Sequence, residues 1–163
     1  MKQINNRKNI RLINYDYSQE GMYYITICTQ NRKQILSEIQ KKEYVGANCV
    51  RPKIILSEKG QIVNAEIRKI SDIYENIKIN TYVIMPNHIH LIICISGRTQ
   101  FAPTISRIIK QFKGKISKRI DYSIWQKNYY EHVIRNEEEL YKIIEYIEEN
   151  PEKWDEDKYY KKG

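Results

Sequence analysis

Cysteine is scarce in this 163-residue chain, and its spacing excludes the sites that cysteine usually builds. The three residues, Cys28, Cys49 and Cys94, are far apart and lack the paired spacings of zinc sites and disulfide frameworks. A long apolar run is also missing after the basic N-terminal residues, which argues against a signal peptide and a membrane span. Internal repeats and low-complexity segments are absent. The sequence therefore predicts a soluble cytoplasmic protein without a membrane partner.

Phenylalanine and tryptophan are rare as well, with two residues each against 14 tyrosines. Much of the aromatic surface therefore carries a hydroxyl group. Acidic residues are outnumbered by basic ones, 20 to 28, and the net charge is +8. Such an excess favours a polyanionic partner, because basic side chains displace counterions from phosphates. Solubility alone is the plain alternative.

The basic residues are concentrated in one segment, residues 103–120, which has no acidic residue. We expect four of its side chains to contact a nucleic-acid backbone, while a merely solvated helix face stays open as the alternative for each. These four are Lys110, Lys113, Lys118 and Arg119. Exposed tyrosines could stack on unpaired bases of the same partner.

The length fits one domain over residues 1–163. Within it we expect a basic N-terminal extension over residues 1–20. A variable loop with a short hairpin is expected over residues 31–53, where polar clusters show no sustained period. The remaining chain alternates between strand-like and helical patterns. The expected elements are a strand over residues 22–29, a helix over 57–74, strands over 78–85 and 88–95, a helix after Thr104, a strand over 129–134 and a helix over 136–150.

This order, β-α-β-β-α-β followed by a helix, predicts an α+β fold. It is the ferredoxin-like (RRM-like) plan, an antiparallel sheet with helices on one face. Two details fix the ends of the last helix. Asn136 with Glu139 three residues later is a capping-box arrangement, and Pro151 disfavours helix at the residue before it.

The pair His88 and His90 is the first candidate for chemistry. Residues two apart in a strand point to the same face, so these two imidazoles can bind one divalent metal. The plain alternative is two packed or surface histidines. The context favours a site, because the chain has only three histidines and two of them lie here in an apolar strand.

The last helix brings a second pair of candidates together. Tyr146 and Asn150 are one turn apart on one side of this helix, at the edge of its apolar stripe. An amide oxygen can be a third ligand for a hard cation, and a tyrosine hydroxyl one turn away could attack a phosphate beside that cation. An interfacial packing role is the alternative for Tyr146, which is one of 14 tyrosines.

Three strings carry a family resemblance. YVIMPNHIHLII (residues 82–93) resembles the His-hydrophobic-His motif of the single-tyrosine HUH transposases. IWQKNYYEHVIRNEEEL (residues 124–140), followed by YIEENPEKW (residues 146–154), resembles the C-terminal signature of their REP-associated tyrosine transposase branch. GMYYITICTQNR (residues 21–32), with Arg11 and Leu12 before it, resembles the same branch. The likeness covers most of the chain, except residues 38–53.

The resemblance implies that His88 and His90 are the metal-binding pair, Asn150 the third ligand and Tyr146 the catalytic nucleophile. It further implies a DNA transposase that nicks and rejoins single-stranded DNA beside hairpins. Members of the family use Mg²⁺ or Mn²⁺, and many act as homodimers. Attack by Tyr146 would leave a 3′-hydroxyl and a 5′-phosphotyrosine, from which strands can be rejoined without ATP.

His132 and Arg135 lie near the same region, and we expect them to contact DNA or, for His132, to have a structural role rather than to bind the metal. Residues 136–157 contain ten acidic and two basic residues. This charge would repel phosphate. We therefore expect its acids to lie away from the metal or to contact the basic helix of a partner subunit, apart from those stabilised by the helix dipole in the first turn.

Two other functions remain open from sequence. A non-catalytic RNA- or DNA-binding module of ferredoxin-like fold would also combine aromatic residues with a basic rim, but it would not need both histidines and Asn150. A metal-dependent phosphoesterase acting on small molecules would explain the histidines but not the basic helix or Tyr146. A family member serving its host instead of its own movement is a further alternative.

Overall fold

The computed structural model describes residues 20–40, 52–97 and 103–160. Most of the expected extension over residues 1–20 and the centre of the 31–53 loop lie outside these ranges. The elements follow in chain order as β1 (Gly21–Cys28), β2 (Ser37–Gln40), β3 (Lys53–Leu56), α1 (Glu58–Arg68), α2 (Ile70–Ile73), β4 (Ile77–Ile84), β5 (His88–Ile95), α3 (Ile105–Ile120), β6 (Tyr130–Ile134) and α4 (Glu137–Glu149).

Four strands form the main sheet in the order β4-β5-β1-β6, and all neighbours are antiparallel. The prediction of an α+β fold built on an antiparallel sheet is thereby confirmed. β2 and β3 pair separately as an antiparallel two-stranded sheet; β2 lies within the expected variable loop of residues 31–53, whereas β3 begins at its last residue and extends beyond it. The predicted helix over residues 57–74 is interrupted at Lys69, whose ψ of −13° separates α1 from α2.

The sheet buries both of its faces, because side chains alternate along each strand. On β5, Ile89, Leu91 and Ile93 pack into a core cluster with residues of α1 and α3. Ile92 belongs to a second cluster on the other face, together with Ile147 of α4. The expected placement of helices on one face therefore holds for α1 and α3 but not for α4. The apolar stripe of α4 covers the second face, which would otherwise expose the apolar side chains of that cluster.

The polypeptide turns sharply between β4 and β5, as the Pro86-Asn87 pair predicts. The Met85 amide donates to the His88 carbonyl at 2.9 Å, which closes this turn. β5 therefore starts with His88, and the two histidines alternate with the core residues Ile89 and Leu91. They face the side of the sheet that α4 covers. Within the described ranges, no helix combines the length and apolar character needed to cross a membrane.

Candidate metal centre and nucleophile

The His88 and His90 side chains are fully buried and meet edge to edge under α4 and the chain that follows it. Their Nε2 atoms are 3.0 Å apart. Two ligand atoms that bind one ion at a right angle, each about 2.1 Å from it, are about 3.0 Å apart. The pair therefore has the spacing that a shared divalent ion requires.

Asn87 fixes the orientation of the His88 ring. The Asn87 amide nitrogen donates to the carbonyls of Tyr159 at 2.8 Å and Arg32 at 3.3 Å, so the amide oxygen faces His88 Nδ1 at 2.8 Å. An amide oxygen only accepts hydrogen bonds, so His88 Nδ1 carries the proton. The lone pair of His88 is therefore on Nε2, where a metal ligand needs it.

The His90 ring has partners that allow either tautomer. Its Nδ1 lies 2.7 Å from the Tyr24 hydroxyl and 2.8 Å from the Thr26 hydroxyl. Because His88 Nε2 carries a lone pair, His90 Nε2 donates to it when no metal is bound. With the proton moved to Nδ1, the same two hydroxyls can accept it. Both imidazoles thus fit a metal through Nε2.

Burial lowers the pKa of both histidines. The pKa of His88 falls to about 4, with desolvation as the largest cause, and the pKa of His90 falls well below its usual 6.5 for the same reason. The nearby cations Arg32 and Lys158 lower the pKa of His88 further, while Asp157 raises it. The imidazoles are therefore neutral at pH 7, the state that binds metal.

Acidification is expected to destabilise the metal-free protein. The pKa of His88 is about 4 in the folded protein and 6.5 in the unfolded chain. At pH values between these two, His88 takes up a proton only in the unfolded chain. The stability that the neutral ring contributes is complete above pH 6.5 and is lost as the pH falls toward 4. Urea unfolding in EDTA at pH 7 and pH 5 should show a loss on the order of 2 kcal/mol. The His88→Gln/His90→Gln variant should show a smaller loss, and equal stability of the wild type at both pH values would contradict the assignment.

Asn150 lies at the end of α4, is buried, and contacts Asp157, whose carboxylate is near the two histidines. Its amide nitrogen donates to Asp157 Oδ2 at 2.8 Å. Its Oδ1 atom is buried and has no hydrogen-bond partner among the described residues. A buried acceptor without a partner costs about 1 to 3 kcal/mol. An ion bound by this oxygen would remove that cost, so Asn150 fits the ligand role expected of it.

Asp157 was not predicted from the sequence, yet the structure places it at the histidines. Ligand atoms of His88, His90 and Asp157 all lie within 4.8 Å of one another. The expectation that the acids of residues 136–157 lie away from the metal is therefore wrong for Asp157. In the sequence it is one of ten acids in that segment, and no spacing distinguishes it from the others.

Tyr146 lies between the histidines and solvent. Its ring centroid is 5.3 Å from that of His90, and 39% of the residue is exposed. It lines a cavity of about 330 Å³ together with Asn150, Asp157 and Lys158. The pKa of Tyr146 is raised to about 12; burial is the largest cause and Asp157 the second, while a hydrogen bond from Asn150 acts in the opposite direction. The phenol is therefore protonated at neutral pH and adjoins both the candidate ligands and open space.

Two of the four expected DNA contacts on α3 are already engaged within the protein. Lys113 Nζ donates to the carbonyls of residues 126–128 at 2.9 to 3.4 Å, and burial lowers its pKa to about 8. Arg119 forms an ion pair of 2.9 Å with the buried Glu66 of α1. Lys110 and Lys118 are exposed. Because α3 packs on the face opposite the histidines, the basic helix lies behind the sheet as seen from Tyr146.

His132 and Arg135 lie at the edge strand and do not join the histidine pair. His132 Nε2 is 2.6 Å from Glu139 Oε1. The other oxygen of Glu139 accepts from the Arg135 amide at 2.7 Å, while Asn136 Oδ1 accepts from the Glu139 amide at 2.8 Å. Half of the predicted capping box forms, and the Glu139 carboxylate binds the preceding amide instead. These contacts agree with a structural role for His132, and the Arg135 side chain is exposed.

Known proteins resemble this chain at the level of family and fold. A REP-associated tyrosine transposase of Escherichia coli is 34% identical over 77 residues, 47% of this chain and 45% of that protein. An uncharacterized protein of Haemophilus influenzae is 33% identical over 96% of this chain and 94% of its own length. The structure of a REP-associated tyrosine transposase bound to a REP hairpin has a similar fold, with a TM-score of 0.63 and 22% identity over 88% of this chain and 74% of that one.

The family match covers the site as well as the sheet. Residues 17–150 match the family model described as "Transposase IS200 like". This range contains His88, His90, Tyr146 and Asn150 and ends before Asp157. The chain belongs to the IS200-like transposase family, and REP-associated tyrosine transposases are among its homologues.

Proposed function

We propose that this chain nicks and rejoins single-stranded DNA at hairpin-associated sites, with Tyr146 as the nucleophile and Mg²⁺ or Mn²⁺ held by His88, His90 and Asn150. One observation carries the proposal. A half-exposed tyrosine adjoins two buried, neutral imidazoles and a buried amide oxygen without a partner, at the wall of an open cavity. The solved relative bound to a REP hairpin supports hairpin DNA as the substrate class.

The residues divide the chemistry between binding and attack. The bound ion would supply positive charge that stabilises the scissile phosphate in the transition state. His88 and His90 are neutral and so leave the charge of the ion undiminished. The Tyr146 oxygen forms a bond to phosphorus as the bond from phosphorus to the 3′ oxygen breaks. The phenol gives its proton to solvent, and the leaving 3′ oxygen takes one proton from solvent to become a hydroxyl.

Rejoining would be the reverse of the same reaction. The 5′-phosphotyrosine keeps the energy of the phosphodiester bond, so an incoming 3′-hydroxyl can attack it and release Tyr146. No ATP is needed, which distinguishes this reaction from hydrolysis. A non-catalytic binding module would gain nothing from two buried imidazoles whose Nε2 atoms meet at 3.0 Å. Dimerisation and a cytoplasmic location remain expectations of the sequence.

A single-stranded oligonucleotide with a hairpin and a labelled 3′ flank tests the reaction. With Mn²⁺, the label should move to the protein on a denaturing gel, because the 5′ phosphate of the flank becomes attached to tyrosine. The other product should end in a 3′-hydroxyl that a polymerase can extend. Products with a free 5′ phosphate and no labelled protein would show hydrolysis and contradict strand transfer.

Lys110 and Lys118, two exposed lysines of α3, are expected to contribute to DNA affinity but not to cleavage. Each phosphate contact adds about 0.9 to the slope of log affinity against log salt. The Lys110→Ala/Lys118→Ala variant should therefore lower this slope by roughly 1 to 2 in hairpin titrations. Lys78→Ala, which removes an exposed lysine of β4, is the control. An unchanged slope in the double variant would show that both lysines are only solvated.

A further inference from the structure

The chain after α4 crosses directly over the histidine pair. We call residues 154–160 the C-terminal strap. Tyr159 packs on His88 with ring centroids 4.7 Å apart, and the Tyr159 carbonyl accepts from Asn87. Arg32 donates to the Lys158 carbonyl at 2.9 Å, and its guanidinium group stacks over the Tyr159 ring. The two strap residues after Asp157, Lys158 and Tyr159, are thus held by Arg32 and by the Asn87-His88 pair.

The Asp157 carboxylate is held in a defined orientation within this strap. Oδ1 accepts from the Tyr159 amide at 2.6 Å, and Oδ2 accepts from the Asn150 amide nitrogen at 2.8 Å. Each oxygen keeps a further lone pair. Within the described residues, no Lys or Arg nitrogen lies within ion-pair distance of this partly buried carboxylate.

The distances suit a ligand. Opposite ligand positions of an octahedral ion with bonds of about 2.1 Å are about 4.2 Å apart, and adjacent positions about 3.0 Å. The ligand atoms of His88, His90 and Asp157 lie within 4.8 Å of one another. This limit is about 0.6 Å longer than the spacing of opposite ligands, so the three groups would draw closer together around one ion. The Asn150 Oδ1 atom, buried and without a partner, belongs to the residue that holds Asp157.

We propose that Asp157 is an additional, anionic ligand of the metal centre, supplied by the C-terminal strap and not by the helix that carries Tyr146. The proposal rests on the metal dependence proposed above. The site then has two imidazoles, one amide oxygen and one carboxylate. The carboxylate adds a hard oxygen donor of the kind that Mg²⁺ and Mn²⁺ prefer. Metal binding also holds the strap in place, so the strap and the ion stabilise each other.

Metal titration of the full chain without DNA tests this assignment apart from catalysis. Calorimetry with Mn²⁺ should show at least about 10-fold weaker binding for Asp157→Asn, since even residues that only support a ligand change affinity about 10- to 100-fold. Glu156→Gln makes the same charge change at the adjacent position, on the wall of the same cavity. It should bind like the wild type. Equal affinities of Asp157→Asn and the wild type would overturn the proposal.

A spectroscopic experiment distinguishes two roles of Asp157. It tests whether Asp157 binds the ion directly or only positions Asn150 through their hydrogen bond. In Asp157→Cys loaded with Co²⁺, a thiolate bound to the ion produces a charge-transfer band in the near ultraviolet. Glu156→Cys is the control, and we expect no such band from it. Circular dichroism confirms that each variant is folded. A spectrum of Asp157→Cys without the band would overturn direct ligation.

The outcome for Asp157 is distinguishable from the outcome for the proposed reaction. If the protein binds metal through Asp157 but forms no adduct with DNA, the ligand assignment stands and the proposed reaction fails. If His88→Ala abolishes metal binding while Asp157→Asn leaves it unchanged, the histidine site stands and the strap ligand fails.

Discussion

Replacement of Tyr146 by Phe is expected to abolish the covalent adduct between protein and DNA while leaving hairpin affinity within about two-fold of the wild type. The substitution removes only a hydroxyl group from a half-exposed ring, so packing against His90 is kept. Loss of a covalent nucleophile typically costs about 10⁴-fold or more in turnover. The labelled-flank assay measures the adduct, and fluorescence anisotropy with the same hairpin measures affinity.

Tyr141→Phe is the matched control. Tyr141 lies on the same helix, is 67% exposed and is no part of the cavity wall around Tyr146. Its variant should form the adduct at the wild-type rate. An adduct of undiminished yield in Tyr146→Phe would remove Tyr146 from the mechanism, and a loss of hairpin affinity would show that the hydroxyl acts in binding.

Replacement of both His88 and His90 by Ala is expected to abolish cleavage and spare most of the DNA affinity. The two rings supply the Nε2 atoms that meet at 3.0 Å, and no other His, Cys, Asp or Glu cluster in the described ranges offers a comparable site. Without the ion, the developing charge on the phosphate loses a stabilisation worth several kcal/mol, so cleavage should fall by about 10³-fold or more. Cleavage rate and Mn²⁺ affinity are measured together.

His132→Ala controls for loss of a histidine outside the site. His132 pairs with Glu139 and does not belong to the cluster formed by His88, His90 and Asp157. Its variant should keep Mn²⁺ affinity. Because both substituted rings of the double variant are buried, its fold must be verified, and His88→Gln/His90→Gln offers a variant with smaller cavities. A folded variant lacking both His88 and His90 that still cleaves DNA would contradict the assignment of these residues as metal ligands.

Local patterns predicted most of the fold. The apolar run of residues 88–95 predicts a strand, and the spacing of Ile105, Ile108, Phe112 and Ile116 predicts one buried face of α3; the structure has both. The position of α4 was predicted less well, since its apolar stripe shows that a face is covered but not which one. That choice depends on the apolar area left over on the sheet, which is a property of the assembled strands.

Local spacing also predicted part of the candidate site, but not all of it. Period-two spacing predicts that His88 and His90 share a face, and helical spacing predicts that Tyr146 and Asn150 share a side. The structure brings all four residues together. Asp157 could not be predicted, because the chain leaves α4 at Pro151 and turns back over the histidines through contacts with Asn87 and Arg32, which are distant in sequence.

The charge distribution around the site also emerges only in three dimensions. Glu149, Glu156 and Asp157 line the cavity beside Tyr146, while the basic helix α3 lies on the opposite face of the sheet. The cavity wall thus carries three carboxylates, and one of them, Glu149, pairs with Lys153 of the same wall. Lys158 lines the same cavity, lies near His88 and stacks over the rings of Tyr130 and Tyr159. A bound divalent ion would offset the repulsion between the carboxylates and phosphate.

The assignment of Tyr146 among 14 tyrosines is the central claim, and peptide mapping of the adduct tests it most directly. The wild-type protein is trapped on a labelled single-stranded flank with Mn²⁺, digested with a protease and a nuclease, and sequenced by mass spectrometry. We predict that Tyr146 and no other residue carries a nucleotide attached through its 5′ phosphate. A modification at Tyr24, Tyr130 or Tyr159, each of which also lies near the histidines or the strap, would contradict the account.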